Sequence, residues 1–96
     1  MPYIQQESRD LLDPIINEIL ITISVCDVGD MNYIITKLIH QWVETHGGLG
    51  YATTSQARAI LSDANDEFYR TVMAPYEDKK RRENGCISKL DELRAG

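Results

Sequence analysis

Ile19-Leu20-Ile21-Thr22-Ile23-Ser24-Val25 is the stretch on which the fold class turns. Its β-branched content, and the alternation of apolar and polar residues from Ile21 to Val25, suit a half-buried strand. A strand needs a partner, however, and no second stretch of the chain has comparable strand character. Read together with the residues before it, the stretch takes a helical period: Leu12, Ile15, Ile16, Ile19, Leu20 and Ile23 recur at three- and four-residue spacing, which predicts a helix over residues 9–25. Asp13-Pro14 is its expected start, because Asp accepts from free N–H groups and Pro suits the first helical position; a bend at Pro14 is the other outcome. Such a helix is apolar over most of its circumference, the mark of a central element or of half a subunit interface. Residues 1–8 read as an extended lead-in, with Tyr3 and Ile4 packing back on the body.

Downstream, Cys26-Asp27-Val28-Gly29 reads as a loop and Asp30 as the cap of a second helix through Met31, Ile34, Ile35, Leu38, Ile39, Trp42 and Val43. At 100° per residue these side chains cover about 180° of the helix, an arc that needs two neighbours. His46-Gly47-Gly48 supplies a stop, and Leu49-Gly50-Tyr51-Ala52 a glycine-rich loop with an aromatic in it. Thr53, Thr54 or Ser55 is the expected cap of a third helix carrying Ala57, Ile60, Leu61, Ala64, Phe68, Val72 and Met73. Pro75 either kinks this helix or begins another. A new start fits the charges better, with Glu77 and Asp78 in the first turn, Arg81 and Arg82 in the last, and Asn84-Gly85 at the end. Glu77 with Arg81 and Asp78 with Arg82 are then acid-first i,i+4 pairs. Ile87, Leu90 and Leu93 line one face of a short terminal helix capped by Ser88. The expectation is therefore an all-α chain, a small antiparallel helical bundle of three main helices plus a short helix after Pro75. It forms a single domain over residues 1–96, with residues 86–96 as a C-terminal tail.

A chain of 96 residues makes one modest core and leaves little room for a large catalytic apparatus. Hydrophobic residues at 43% and charged residues at 26% are ordinary for a globular protein, which argues against disorder and against a membrane protein. The net charge of -5 is uneven: residues 1–69 carry three positive and ten negative charges, residues 70–96 seven positive and five negative. That balance argues against broad phosphate-backbone binding and leaves Lys79 to Arg82 as the one nucleic-acid candidate. Cys26 and Cys86 lack metal-type spacing and read as reduced thiols, and no secretion signal precedes the body, so the expected location is cytoplasmic. The wide apolar arcs of the first two helices predict a symmetric homodimer that buries them jointly.

Candidate chemistry is sparse. Glu67 lies at the margin of the third helix's apolar face with Asp63 one turn earlier; a half-buried carboxylate of this kind is either a catalytic candidate or an ion pair with Arg70. All-α nucleotide pyrophosphohydrolases gather Mg²⁺ with Glu-x-x-Glu pairs. This chain has none, offering only Asp10 with Asp13, and Asp63 with Asp66 and Glu67, while Lys79 to Arg82 would meet phosphate. His40 and His46 are six apart and do not share a helix face, which argues against zinc. Gly47-Gly48-Leu49-Gly50 lacks the strand and the Lys-Ser/Thr of a phosphate-binding loop. Tyr51, Tyr69 and Tyr76 suit stacking on a ligand or closing a core rim.

Four segments carry a resemblance: Asp30-Met31-Asn32-Tyr33-Ile34-Ile35-Thr36; Gly48-Leu49-Gly50-Tyr51-Ala52; Glu67-Phe68-Tyr69-Arg70; and Pro75-Tyr76-Glu77-Asp78-Lys79-Lys80 with Asn84-Gly85. They resemble the landmarks of a family of short uncharacterised proteins from phages, prophages and environmental sequence, over residues 3–86. The run from Pro75 to Lys80 is the most specific part. An acidic residue often follows Asn-Gly in that family, whereas Cys86 stands there in this chain. The resemblance implies a phage-linked accessory protein and brings no activity with it. It marks Tyr76, Glu77, Asp78, Lys79 and Lys80, with Tyr51, as the candidate ligand or partner residues, beside Asp63 and Glu67 as the catalytic candidates. The function expected is a non-enzymatic, dimeric helical interaction module without metal or cofactor. The alternatives are a metal-dependent nucleotide pyrophosphohydrolase using Mg²⁺, and a nucleic-acid contact through Lys79 to Arg82.

Overall fold

The Ile19–Val25 stretch is helical as far as Ile23 in the computed structural model, which describes residues 2–92. Leu93, expected on the terminal helix, and the rest of the tail after it lie outside the described residues, as does Met1. The elements in order are α1 (Gln6–Ile23), α2 (Val28–Thr45), α3 (Tyr51–Phe68), a π-helical turn (Tyr69–Met73), α4 (Ala74–Asn84) and α5 (Lys89–Glu92). Among the described residues there is no strand. The fold class is that of a small all-α helical bundle, with three long helices and a shorter one around Pro75.

Helix α1 begins earlier than the Asp13-Pro14 start predicted. Gln5 is its N-cap, with extended backbone, and its carbonyl accepts from the N–H groups of Ser8 and Arg9. The Arg9 guanidinium also donates to the Ile4 carbonyl at 2.9 Å, fixing the four-residue lead-in against the first turn. Pro14 therefore sits inside the helix. It removes one backbone bond, but Gln6 to Asp13 contribute two turns of their own. The C-terminal end falls short of Val25, because tighter bonds from Val25 N–H to the Thr22 carbonyl and from Cys26 N–H to the Ile23 carbonyl replace the α pattern. The Ser24 hydroxyl and the Cys26 thiol add donations to Ile21 and Thr22 carbonyls. Both cysteines are free thiols.

Helix α2 starts at Val28, and its cap is Asp27, not Asp30. The Asp27 carboxylate accepts from the Asp30 N–H at 2.8 Å while the Asp30 carboxylate accepts from the Asp27 N–H at 3.1 Å. This reciprocal capping box satisfies two otherwise orphaned donors, which a cap at Asp30 alone would not. At the other end the Gly48 N–H bonds back to the Val43 carbonyl at 2.9 Å, a closure that uses the positive φ of 119° at the preceding Gly47. His46 stacks on Trp42, ring centroids 4.3 Å apart, and its Nδ1 lies 2.7 Å from the Trp42 carbonyl. Helix α3 opens at Tyr51, ahead of the predicted caps. The Thr53 and Thr54 hydroxyls act as donors, to Gly48 at 2.6 Å and Gly50 at 2.7 Å, so they anchor the preceding loop's carbonyls instead of capping N–H groups.

The chain divides into two compact units, Met1–Leu61 and Ser62–Gly96, with the boundary inside α3. In the first unit Ala57 is the only fully buried residue, at 5% exposure, and no other described residue of the chain reaches that class. Met31, Ile34, Ile39, Trp42 and Val43 of α2 are half-buried. On α1 the whole predicted stripe from Leu12 to Leu20 remains open, Ile15 at 60% and Ile19 at 42%. No described helix is long and apolar enough to cross a membrane.

Candidate functional site

In an unbroken α-helix, Pro75 would leave the Thr71 carbonyl without a donor and crowd it with its ring. The fresh helix start expected there is met in part: Pro75 falls in the first turn of α4, but no break separates α4 from α3. Tyr69 to Met73 widen into a π turn in which the Ala74 N–H donates to the Tyr69 carbonyl five residues back. Backbone angles stay helical on both sides, -61°/-45° at Phe68 and -63°/-45° at Ala74, so α3 passes into α4 without a loop. The Thr71 hydroxyl donates to the Glu67 carbonyl at 2.8 Å within the widened turn. One extra residue in a helical turn rotates what precedes it by about 100°. Tyr69 is thereby carried onto the face that holds Ala74, Asp78, Arg81 and Gly85.

The charges of α4 pair at i,i+3, not at the i,i+4 spacing predicted for Glu77 with Arg81 and Asp78 with Arg82. Arg81 lies folded against the helix, its side chain 16% exposed, and reaches the Asp78 carboxylate at 3.2 Å. Lys80 donates to Glu83 at 3.2 Å and sits 5.7 Å from the centroid of the Tyr76 ring. Glu77 has no hydrogen bond or ion pair among the described residues. The helix ends at Gly85, whose φ of 94° and ψ of 158° belong to a region that is essentially glycine-only. Its N–H bonds to the Arg81 carbonyl at 2.8 Å, and the chain turns back from there. Ser88 caps α5: its hydroxyl accepts from the Leu90 N–H at 3.2 Å, and the Asp91 carboxylate accepts from the N–H groups of Ser88 at 2.8 Å and Ile87 at 3.0 Å. These backbone donors, that of Ser88 first, hold the Asp91 carboxyl below the usual carboxylate range, with a smaller contribution from Arg81.

Between α4 and the returning chain lies an open pocket of about 470 Å³. Tyr69 and Ala74 form the wall at the π turn; Glu77, Asp78, Lys80 and Arg81 form the α4 wall; Gly85, Ile87 and Asp91 close the far side. The size falls in the range of small-ligand sites, roughly 300–1,000 Å³. Of the candidate residues named from the sequence, Glu77, Asp78 and Lys80 meet here. Tyr76 stands beside them through its contact with Lys80, Lys79 is outside the lining, and Tyr51 opens α3 in the other unit, fully exposed. Asp63 and Glu67 lie on α3 and are not part of the pocket. Both Glu67 oxygens accept from one Arg70 nitrogen, at 2.9 and 3.0 Å. Among the described residues no three His, Cys, Asp or Glu side chains gather in a way that would hold a metal ion.

Tyr69, Arg81 and Asp91 are pocket residues that the sequence reading did not assemble. Two signals pointed to them. Thr71 and Pro75 are four apart, which marks the carbonyl that the proline deprives of a donor, and Ser88-Lys89-Leu90-Asp91 matches the Ser-x-x-Asp capping pattern.

A continuous helix widened by a π turn, with a mixed-charge pocket against its second half, makes this a small all-α protein with a ligand-sized surface pocket in its second unit. The chain belongs to the family defined by a domain of unknown function, DUF6899, whose family model matches residues 1–87. The match takes in α1 to α4 and the near side of the pocket, while Asp91 lies past its end. No curated protein and no solved structure matches the chain.

Proposed function

We propose that this protein is a non-enzymatic helical interaction module, a cytoplasmic accessory protein of the phage-linked kind its motifs resemble, and that it completes its hydrophobic core by pairing with a second copy of itself. The observation that carries this reading is the apolar surface left open. Helix α1 presents Leu12, Ile15, Ile16, Ile19 and Leu20 along one stripe, all exposed, and α2 adds Ile35 and Leu38. A second copy suits the α1 stripe because the stripe is aliphatic and uncharged, so it meets itself across a two-fold axis without like-charge repulsion.

Light scattering at micromolar concentration tests the pairing: a mass near twice 10.9 kDa is expected, and a stable monomer overturns it. The non-enzymatic part has its own test. Mg²⁺-dependent release of pyrophosphate from a panel of nucleotides, lost on Glu67→Gln, would replace it with the hydrolase reading.

A further inference from the structure

The occupant that suits the pocket is set by the charge left over once its walls have satisfied each other. Asp78 and Arg81 pair at 3.2 Å, and Lys80 is held by Glu83 at 3.2 Å. Both pocket cations have partners on their own helix, and the Arg81 charge also reaches Asp91, where it helps hold the carboxyl low. Asp91 accepts two backbone N–H groups, but a carboxylate has about four lone-pair sites, so it keeps its charge and further accepting capacity. Glu77 keeps all of its own. An aromatic ring completes the set, since the π turn carries Tyr69 to the same wall. Regular helical register would turn that ring away by about 100°, and π turns recur at functional sites because they re-aim side chains in this way.

We infer that the pocket is a binding site for a cationic nitrogen group, a guanidinium or a primary amine, taken by the carboxylates of Glu77 and Asp91 against the Tyr69 ring. The carboxylates accept its N–H groups in charge-assisted bonds, and the ring face attracts its positive charge. The cavity of about 470 Å³ accommodates an arginine- or lysine-sized group with room for the chain that carries it. The site uses none of the residues on which the self-pairing reading rests, so either fails without the other.

The test is an amide NMR titration of the full chain with N-acetyl-arginine amide, with the citrulline equivalent as a neutral isostere. The arginine probe is expected to shift the Tyr69, Ala74, Glu77 and Asp78 amides saturably, and the citrulline probe to leave them in place. Glu77→Gln, on an exposed helical position, keeps the far-ultraviolet CD spectrum and weakens binding roughly tenfold or more. Titrating a short Arg/Lys peptide and a free diamine separates the sources of the group: tighter binding of the peptide assigns it to a polypeptide partner, equal binding to a small amine. No saturable shift, an equal response to citrulline, or movement of the same amides by inorganic phosphate instead would overturn the assignment.

Discussion

Helices α1 and α4 each contain a proline, and they accommodate it in opposite ways. Helix α1 runs through Pro14 in α form with an open aliphatic stripe and no basic residue in its last turn. Ahead of Pro75 the backbone widens, and α4 is then held by its own charges, Asp78 with Arg81 and Lys80 with Glu83, and closed by Gly85. The lesson is one of where the stabilising free energy comes from. An apolar helix with little local support depends on burial supplied from outside it, whereas a charged helix with caps and i,i+3 pairs carries small increments of its own. The two should therefore respond differently to substitution.

The largest effect is expected on α1. Ile19→Glu places a charge in the stripe and should cost about 3 kcal/mol or more in chemical denaturation, as burial of an isoleucine is lost and an unpaired charge is introduced. Ile21, 83% exposed and off the stripe, is the control: Ile21→Glu should stay within about 0.5 kcal/mol. Equal, small effects at both positions would erase the contrast between the helices. Next in size is Gly85→Ala, expected to cost about 1–3 kcal/mol because an L side chain does not tolerate the backbone there. Although open space surrounds the site, the strain is conformational, and faster hydrogen exchange from Arg81 to Asp91 would report it.

Pro75→Ala sharpens the comparison from the other side. Restoring the N–H removes the reason for the π turn, so α3 and α4 should merge in α register with a gain of about 1 kcal/mol or more, while Tyr69 leaves the pocket. Persistence of the bond from the Ala74 N–H to the Tyr69 carbonyl in the variant would contradict this. Asp27→Ala should cost about 1 kcal/mol by removing one arm of the capping box, seen as fraying at the start of α2. The smallest effect belongs to Asp91, whose carboxyl is held low in the folded chain. Its contribution is fully present above the unfolded carboxyl value and lost as pH falls through the lower folded value, so the Ser88 and Ile87 amide resonances should move only below the usual carboxylate range.

Helix existence was legible because the stripe from Leu12 to Ile23 and that from Met31 to Val43 hold their period over several turns. Helix ends were less so. Asp27 and Asp30 are both good caps by residue type, and they use each other, which spacing alone does not decide. Thr53 and Thr54 looked like caps but spend their hydroxyls as donors to Gly48 and Gly50. At the pocket, Glu77, Asp78 and Lys80 stood out as an unusual run, while the register that adds Tyr69 depends on which carbonyl the Ala74 N–H takes. Proline alone leaves three outcomes open there, a kink, a fresh start or a π turn. The approach of Asp91 depends on the backbone at Gly85, a tertiary choice that residue type permits without dictating.

The central claim is that α1 finds its burial on a second copy of the chain. Its most direct test is the thermal unfolding midpoint as a function of protein concentration. A dimer that supplies its own core must unfold at higher temperature as concentration rises from about 1 to 100 μM, by mass action. A cooperative midpoint that stays fixed across that range would show that one copy suffices, and would contradict the account.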